Sequence, residues 1–175
     1  MTFPKKNSYF GIPWGIVLNY PKKCQTMFIG SFKYSIDSKG RVSIPAKLRK
    51  FINPEANDSF VMTRGTAQCI DLYPLDQWKE LVVNKLNQLN TFDPKEAMFL
   101  RMFLQEAAED KLDSQSRILI PKSLIEFAGI EKEVLILGAI KKIEIWNPKI
   151  YDKYIQENKV PYSEIAREVM KIREQ

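Results

Sequence analysis

A twelve-residue motif occurs twice in this chain of 175 residues, and it constrains the fold more than any other feature. Residues 37–48 read DSKGRVSIPAKL and residues 113–124 read DSQSRILIPKSL, with identity at six of the twelve positions. When a three-residue deletion is allowed, the similarity continues, so that FVMTRG at 60–65 aligns with EVLILG at 133–138. A unit duplicated within one chain resembles a homodimer fused into a monomer. We therefore expect two copies related by a pseudo-two-fold axis.

Each copy predicts the same order of elements: a strand, a tight turn, a second strand, a short helix and a hairpin. In the first copy, apolar residues alternate along 28–36, which is typical of a half-buried strand. The turn at 37–40 begins with Asp and ends with Gly40, a residue type that tolerates positive φ. Pro45 suits the first position of a short helix. Leu48 and Phe51 are then expected to point into the core.

The chain as a whole predicts a β-rich α+β fold built from the two copies. Strands at 60–63 and 69–73 are expected to form a hairpin, as are their counterparts in the second copy. The predicted organisation is an irregular extension over residues 1–26, a first repeat core over 27–74, connecting helices over 75–108, a second repeat core over 109–148, and a C-terminal helical tail over 149–175.

Composition excludes several classes of chemistry. The chain has no histidine and two cysteines, which excludes Ser–His and Cys–His nucleophile pairs, histidine-bearing metal sites and a disulfide framework. No apolar run approaches the roughly 20 residues that a membrane helix needs. We therefore expect no catalysis, no metal or other cofactor, no small-molecule substrate and no membrane partner, in a reducing compartment.

Charge is distributed unevenly along the chain. The net charge is +6, and residues 1–26 alone contain four lysines and no acidic residue. Residues 33–50 contain six basic residues against the single acid Asp37. A local basic patch of this kind can steer an anionic partner.

The segment between the copies predicts two helices, and the second is unusually apolar. Asp93 is a helix cap, followed by Pro94 at the first helical position. The body of this helix, AMFLRMFLQEAA at 97–108, is apolar on nearly all sides, which indicates burial in the fold or against another subunit. The interface candidates are Phe99, Met102 and Phe103. The tail predicts a further helix, with Ile165, Val169 and Ile172 at helical spacing. This helix is expected to pack either on a partner or on the body of its own chain.

The repeated Asp and Arg of the motif have two interpretations. Asp37 and Arg41, like Asp113 and Arg117, stand four residues apart across a tight turn, where a carboxylate can hold a guanidinium by a bidentate pair. One interpretation is a purely structural lock. The other is that Arg41, beside Lys39, projects to phosphates or to a guanine edge. A surface salt bridge contributes only about 0–1 kcal/mol. Stability alone therefore does not readily explain why the pair occurs in both copies.

DSKGRVSIPAKLRK, with MFIGSFKYSIDSKGRVSIP around it and DSQSRILIP in the second copy, resembles the AbrB-like swapped-hairpin DNA-binding superfamily and most closely the MraZ family of bacterial transcriptional regulators. The resemblance covers residues 27 to about 154. It implies tandem AbrB-like β-barrel units of swapped hairpins with short helices, and a ring-shaped homo-oligomer. It also implies a cytoplasmic, nucleoid-associated repressor that binds tandem short promoter boxes in double-stranded DNA and controls the division and cell-wall gene cluster. The DNA-reading motif of that family maps to Asp37, Lys39, Gly40, Arg41, Asp113 and Arg117.

The chain departs from the family pattern in two places. In the second copy Gln115 replaces the lysine and Ser116 replaces the glycine, so the turn is expected to be strained or altered and the second copy to bind DNA less strongly. Residues 1–26 lie outside the resemblance. They suit a basic arm that contacts phosphates, but a misread upstream region with Met27 as the true start is the favoured interpretation.

The alternative function is a ring-forming structural or antitoxin-like interaction module without specific DNA readout.

Overall fold

A computed structural model of the protein describes residues 27–157 and 160–171, so the predictions about residues 1–26 fall outside the described residues. The strands are β1 (Phe28–Ser35), β2 (Arg41–Ser43), β3 (Ser59–Arg64), β4 (Ile70–Pro74), β5 (Ala108–Lys111), β6 (Arg117–Leu119), β7 (Glu133–Ile140) and β8 (Lys142–Trp146). The helices are α1 (Ala46–Arg49), α2 (Leu75–Gln77, continued by the π-helical stretch Trp78–Val83 and by Asn84–Leu86), α3 (Pro94–Leu104), α4 (Lys122–Phe127), α5 (Pro148–Glu157) and α6 (Tyr162–Lys171), with a 3₁₀ turn at Pro54–Ala56.

Six strands form one antiparallel sheet in the order β1-β7-β8-β4-β3-β5. The order stays the same when the two copies are exchanged, because β1, β3 and β4 of the first copy correspond to β5, β7 and β8 of the second. The first strand of each copy pairs with a strand of the other copy, β1 with β7 and β5 with β3. Neither copy is therefore a sheet on its own, which is what a fused two-fold unit requires.

The sheet is open among the described residues, whereas the resemblance implies β-barrel units. β1 and β5 each pair on one side only and form the two edges. The remaining strands, β2 and β6, pair with each other as a separate two-stranded antiparallel sheet, called the ribbon below. The predicted β-rich α+β class is confirmed. The strand pairing of the described residues does not form the closed barrel that the resemblance implies.

The main core lies between one face of the six-stranded sheet and the ribbon with α1 and α4. Both copies contribute equivalent aliphatic residues to it, including Val42, Leu48, Leu72, Ile118, Leu124 and Ile145. The expectation for Leu48 is confirmed, since it is fully buried, but Phe51 is 40% exposed. Helix α1 ends at Arg49, so helical periodicity no longer applies to Phe51, and Ile52 packs against the core instead. Pro45 precedes the helix as its cap, with ψ of 133°.

Strand β1 keeps only part of its predicted alternation. Phe28 is fully buried and Phe32 packs against the core, but Tyr34 is exposed on this edge strand, which pairs on one side only. Its backbone approaches β7 very closely at Gly138, where an added Cβ would lie 2.4 Å from the carbonyl carbon of Phe28. A glycine is required there because any side chain would push the two copies apart.

The other face of the sheet is partly covered by α2, α3 and α5. Asp93 caps α3 as expected, since its Oδ1 accepts from the backbone N–H of Lys95 and of Glu96 at 2.9 Å each. The prediction that one helix extends over 97–108 is wrong at its C-terminal end, because α3 ends at Leu104 and Ala108 begins β5. Ala97 is the buried residue of α3, so burial inside the fold is wrong for most of the helix, and burial against another subunit stays a prediction. Apolar composition predicts that a helix is buried, but it does not show which surface buries it.

The three interface candidates divide into two kinds. Phe103 is half-buried and stacks on Trp78 at 5.9 Å between ring centroids, so it packs within its own chain. Phe99 and Met102 are about half exposed, at 50% and 53%. Within the described residues, no helix combines the length and the apolar character that a membrane span requires.

Candidate nucleic-acid interface

The ribbon brings the two copies of the motif together at the pseudo-two-fold axis. Val42 stands opposite Ile118, Arg41 opposite Leu119 and Ser43 opposite Arg117. Two further hydrogen bonds extend the pairing: Ile44 N–H donates to the Ser116 carbonyl at 3.0 Å, and Ile120 N–H donates to the Gly40 carbonyl at 2.9 Å. The two bonds are equivalent under exchange of the copies, so the motif repeats as one paired structure.

The alternation of the ribbon places both arginines on its outer face. Val42 and Ile118 are fully buried and point into the core. Their neighbours Arg41 and Arg117 therefore point the other way, because successive side chains of a strand lie on opposite faces. Since Arg41 faces Leu119, it is diagonal to Arg117, and diagonal positions of an antiparallel pair lie roughly 7–8 Å apart. The two guanidinium groups thus belong to one surface.

In the first copy, a single carboxylate organises the whole turn. Asp37 Oδ1 accepts from the backbone N–H of Lys39 and of Arg41, at 2.9 Å each. Asp37 Oδ2 accepts from Arg41 Nε at 2.8 Å and from Arg41 Nη2 at 2.7 Å. The backbone closes the turn, since Gly40 N–H donates to the Asp37 carbonyl at 3.0 Å. Asp37 therefore fixes both the loop and the direction of the arginine.

The second copy has the same geometry despite its different sequence. Asp113 Oδ1 accepts from the backbone N–H of Gln115 and of Arg117 at 2.9 Å each, and Oδ2 accepts from Arg117 Nε at 2.8 Å and Nη2 at 2.7 Å. Ser116 has φ of 60°, where Gly40 has φ of 82°. The turn is therefore not altered. It is retained at the cost of a left-handed serine, a conformation that costs an L-residue roughly 1–2 kcal/mol.

The hydrogen bonds from the arginines keep both carboxylates ionised. The side-chain bond from Arg41, with the backbone bonds of the turn, lowers the pKa of Asp37 to about 2. The equivalent bonds from Arg117 lower the pKa of Asp113 below its usual value. At neutral pH both turns, 37–41 and 113–117, hence hold a carboxylate–guanidinium pair, and we call them the Asp–Arg turns.

Each arginine retains donors beyond those that its aspartate uses. A guanidinium carries five N–H groups, and in each turn Nε and one Nη2 hydrogen bind the aspartate. The remaining three make no hydrogen bond to any residue that the structure describes. The Arg41 and Arg117 side chains are 29% and 24% exposed. Such a held, outward guanidinium suits a phosphate or a guanine edge, which it recognises by two parallel donors.

Charge around the two Asp–Arg turns differs strongly. Residues 33–50 hold six basic residues and one acid, whereas the equivalent span 109–126 holds three basic residues and four acids. In the first copy the other five basic residues are exposed: Lys33, Lys39, Lys47, Arg49 and Lys50. In the second copy Lys122 lies 3.5 Å from Glu126, and Lys111 donates to Asn57 at 3.2 Å. The surface of the first copy is thus the more favourable one for an anion.

An ion cluster at the centre of the sheet, on the face away from the ribbon, was not predicted from the sequence. Lys142 Nζ donates to both carboxylate oxygens of Asp71 at 2.7 Å and lies 2.9 Å from Glu144 Oε1. Burial raises the pKa of the Asp71 carboxyl; burial also opposes the charge of Lys142, but its bonds to Asp71 and Glu144 outweigh that and raise its pKa. When the repeat alignment of 60–65 with 133–138 is continued along the chain, Asp71 and Glu144 occupy equivalent positions, and this repeated acid was the signal that the sequence offered. No group of residues suited to a metal ion occurs in the described part of the chain.

Comparison with known proteins accounts for both copies. Residues 27–102 and 103–172 match the family model described as "MraZ protein, putative antitoxin-like". The transcriptional regulator MraZ of Natranaerobius thermophilus is 41% identical over 144 residues, covering 82% of this chain and 97% of that protein. The same regulator of Alkaliphilus oremlandii is 40% identical over 146 residues (83% and 99% coverage), and that of Christiangramia forsetii 37% identical over 143 residues (81% and 92% coverage).

Proposed function

We propose that this chain, which belongs to the MraZ family, regulates transcription. It does so by binding double-stranded DNA sequence-specifically through its Asp–Arg turns. The observation that carries the proposal is the ribbon, which presents Arg41 and Arg117 on one outer face with their remaining donors free of the described residues. The aspartates orient the guanidinium groups before DNA arrives, which reduces the entropy lost on binding.

The nearby lysines provide the sequence-independent part of the affinity. Lys39 lies within the first turn, and Lys47 and Lys50 follow it on or after α1, all exposed. Contacts of this kind neutralise phosphates and fix the position of the protein on the duplex, while arginine contacts to base edges discriminate sequence. The first copy is therefore the stronger DNA-binding copy, and the second adds a similarly shaped but less basic contact.

The target and the assembly follow the family resemblance. The protein represses the division and cell-wall gene cluster, binds tandem short boxes in its promoter, and is associated with the nucleoid in the cytoplasm. It forms a ring of identical subunits, each an AbrB-like unit whose copies exchange strands. The strand exchange of β1 and β5 supports the AbrB-like arrangement, and the exposed side of α3 supports the self-association. Several weak contacts on one ring bind adjacent boxes far more tightly than a single box.

The test replaces Arg41 and compares affinity with folding. Arg41→Ala should weaken binding to the promoter fragment upstream of the protein's own gene by about tenfold or more, since a bidentate base contact contributes about 1–3 kcal/mol. Arg41→Lys retains the charge but loses the planar fork, so it should not restore the affinity. Arg101→Ala, which removes an exposed arginine from α3, is the matched control and should bind like the wild type.

Folding of each variant is followed by thermal melting. The Asp37 bonds to backbone N–H groups do not involve the Arg41 side chain, so the Arg41 variants should melt cooperatively. Wild-type affinity in Arg41→Ala would contradict the DNA-reading role, and an unfolded variant would favour the purely structural lock.

A second candidate function is an interaction module that does not recognise specific DNA. It is favoured by one observation, the exposed apolar residues of α3, which include Met98, Phe99 and Met102. Met102→Glu should dissociate the assembly if this side of α3 lies between subunits, because an unpaired charge in an interface is costly. Phe103→Glu is expected to unfold the chain instead, since Phe103 stacks on Trp78. Loss of the assembly without loss of single-box DNA binding would separate the two functions.

A further inference from the structure

A cleft of about 460 Å³ opens between α2, α3 and the turn that joins β7 to β8. Its walls are largely apolar and include Leu81, Leu86, Phe99 and Phe103. Tyr73, on the sheet face away from the ribbon, also lines it. The cleft is therefore separate from the Asp–Arg turns, and its apolar lining continues onto the exposed residues of α3.

The charge at the cleft is positive. Lys85, Lys141 and Lys142 all line it. Lys142 is already bound to Asp71 and Glu144. Lys85 and Lys141 are exposed and have no ion pair with any residue in the described part of the chain. The cleft therefore suits an apolar segment that carries carboxylates on its flank.

Helix α6 of this chain has those properties and is itself uncovered. On a helical projection, Tyr162, Ile165 and Val169 form one apolar stripe, and Glu164 and Glu168 lie along one edge of it. All five residues are exposed. An isolated helix shorter than about 12–15 residues is marginal in water, and α6 has ten. The stripe is not covered by the described part of its own chain, so the helix needs an apolar surface to pack against.

We propose that α6 of one subunit docks into the cleft of a second copy, with Ile165 and Val169 between α2 and α3, and with Glu164 and Glu168 beside Lys85 and Lys141. A second copy is preferred to the same chain, because both surfaces belong to this chain and neither is covered by another of its described residues. The contact is head-to-tail, and such contacts generate rings when the rotation closes. The inference rests on the self-association in the proposed function and identifies the segment responsible.

The direct test is disulfide cross-linking between two chains of different size. One full-length chain carries Val169→Cys and the other, lengthened by a tag, carries Leu86→Cys. After co-expression and mild oxidation, a mixed species containing both chains is expected. The matched control is Arg167→Cys, on the opposite side of α6, which should give little mixed species with the same partner. If a chain carrying both cysteines cross-links only within itself, or if no cross-link forms at all, the proposal is overturned.

Charge reversal provides an independent measurement. Glu168→Lys should reduce the particle mass measured by light scattering at low protein concentration, and adding Lys85→Glu to that variant should restore it. The double variant Ile165→Asp, Val169→Asp should raise the dissociation constant of the assembly by about tenfold or more, since a few buried apolar residues dominate such interfaces. Unchanged mass in both Glu168→Lys and the Ile165→Asp, Val169→Asp variant contradicts the docking.

Failure of the docking is distinguishable from failure of the proposed function. Binding to one short box depends on the Asp–Arg turns of a single subunit, so the α6 variants should retain it. If they lose the particle and keep single-box binding, both proposals stand. If they keep the particle, the α6 docking is wrong whatever the DNA result. If the wild type binds no DNA while the Val169→Cys and Leu86→Cys chains still cross-link with each other, only the proposed function is wrong.

Discussion

Lys142→Met should destabilise the protein strongly, although Lys142 takes no part in the proposed DNA contact. The lysine bridges Asp71 and Glu144, which stand directly opposite each other on β4 and β8, where the two copies meet. Methionine keeps most of the volume of the lysine side chain and removes the ammonium group. Asp71 is only 5% exposed, so the substitution leaves a buried carboxylate beside a second one.

The magnitude follows from that burial. Breaking a buried ion pair by removing one partner costs about 3–5 kcal/mol. A change of 1 kcal/mol shifts Tm by about 2–4 °C in a chain of this size, so Tm should fall by about 6–20 °C. Lys122→Met is the matched control: the Lys122 side chain is 90% exposed and lies 3.5 Å from Glu126, and its loss should change stability by less than about 0.5 kcal/mol.

The pH dependence of the stability lost in Lys142→Met provides an internal check. Burial raises the pKa of Asp71 even with the lysine present, and removal of the lysine can only raise it further. A carboxyl with a raised pKa binds its proton more tightly in the folded state, so protonation favours folding and the deficit of Lys142→Met should shrink as the pH falls. The assay is urea unfolding at several pH values. A loss below about 1 kcal/mol at neutral pH, or a deficit that does not shrink in acid, would refute the reasoning.

Three further predictions concern the Asp–Arg turns. Ser116→Gly should raise Tm slightly, because glycine adopts the left-handed φ without strain, and Gly40→Ser should lower it, because an added Cβ at Gly40 would lie 3.2 Å from the Ile120 carbonyl oxygen; melting curves with the same sign for both would contradict this. Arg117→Ala should weaken promoter binding less than Arg41→Ala does in matched titrations, and equal losses would show that the acidic surroundings of the second copy do not matter. The pKa of Asp37 is lowered to about 2, so its stabilising pair with Arg41 is present above about pH 4 and is lost as the pH falls towards 2. Asp37→Asn should therefore make the free energy of unfolding depend less on pH in that range. An unchanged pH dependence would show that the pair does not stabilise the fold.

Local features were predictable from the sequence because they depend on neighbouring residues. The turn at 37–40, the two hairpins, the Asp93 cap and the burial of Leu48 all follow from short-range chemistry, and the structure has each of them. The duplication predicted a pseudo-two-fold relation, and the strand order has that symmetry. The family was recognisable because its motif is dense in specific residue types, and the family match confirms it.

Long-range features were not predictable from local patterns. Nothing in β1 alone shows that its partner is β7 of the other copy, and a single sequence does not show that the ribbon pairs Val42 with Ile118. The role of Lys142 was not predicted because its counterpart in the first copy is Cys69, so the repeat alignment showed two equivalent acids but no base beside them. The roles of Asp37, Arg41, Asp113 and Arg117 in DNA binding stay predictions.

The most direct test of the central claim is fluorescence anisotropy with three DNA probes across a salt series. The probes carry one box, two boxes at their natural spacing, and two boxes of which one is shifted by about five base pairs, half the helical repeat. Sequence-specific binding by neighbouring subunits should give poor affinity for one box, a gain far above twofold for two boxes in phase, and loss of that gain for the shifted pair. The slope of log K against log salt, about −0.9 per neutralised phosphate, should be steepest for the in-phase pair. Equal affinity and equal slope for all three probes would show non-specific charge attraction and would contradict sequence-specific binding by the Asp–Arg turns.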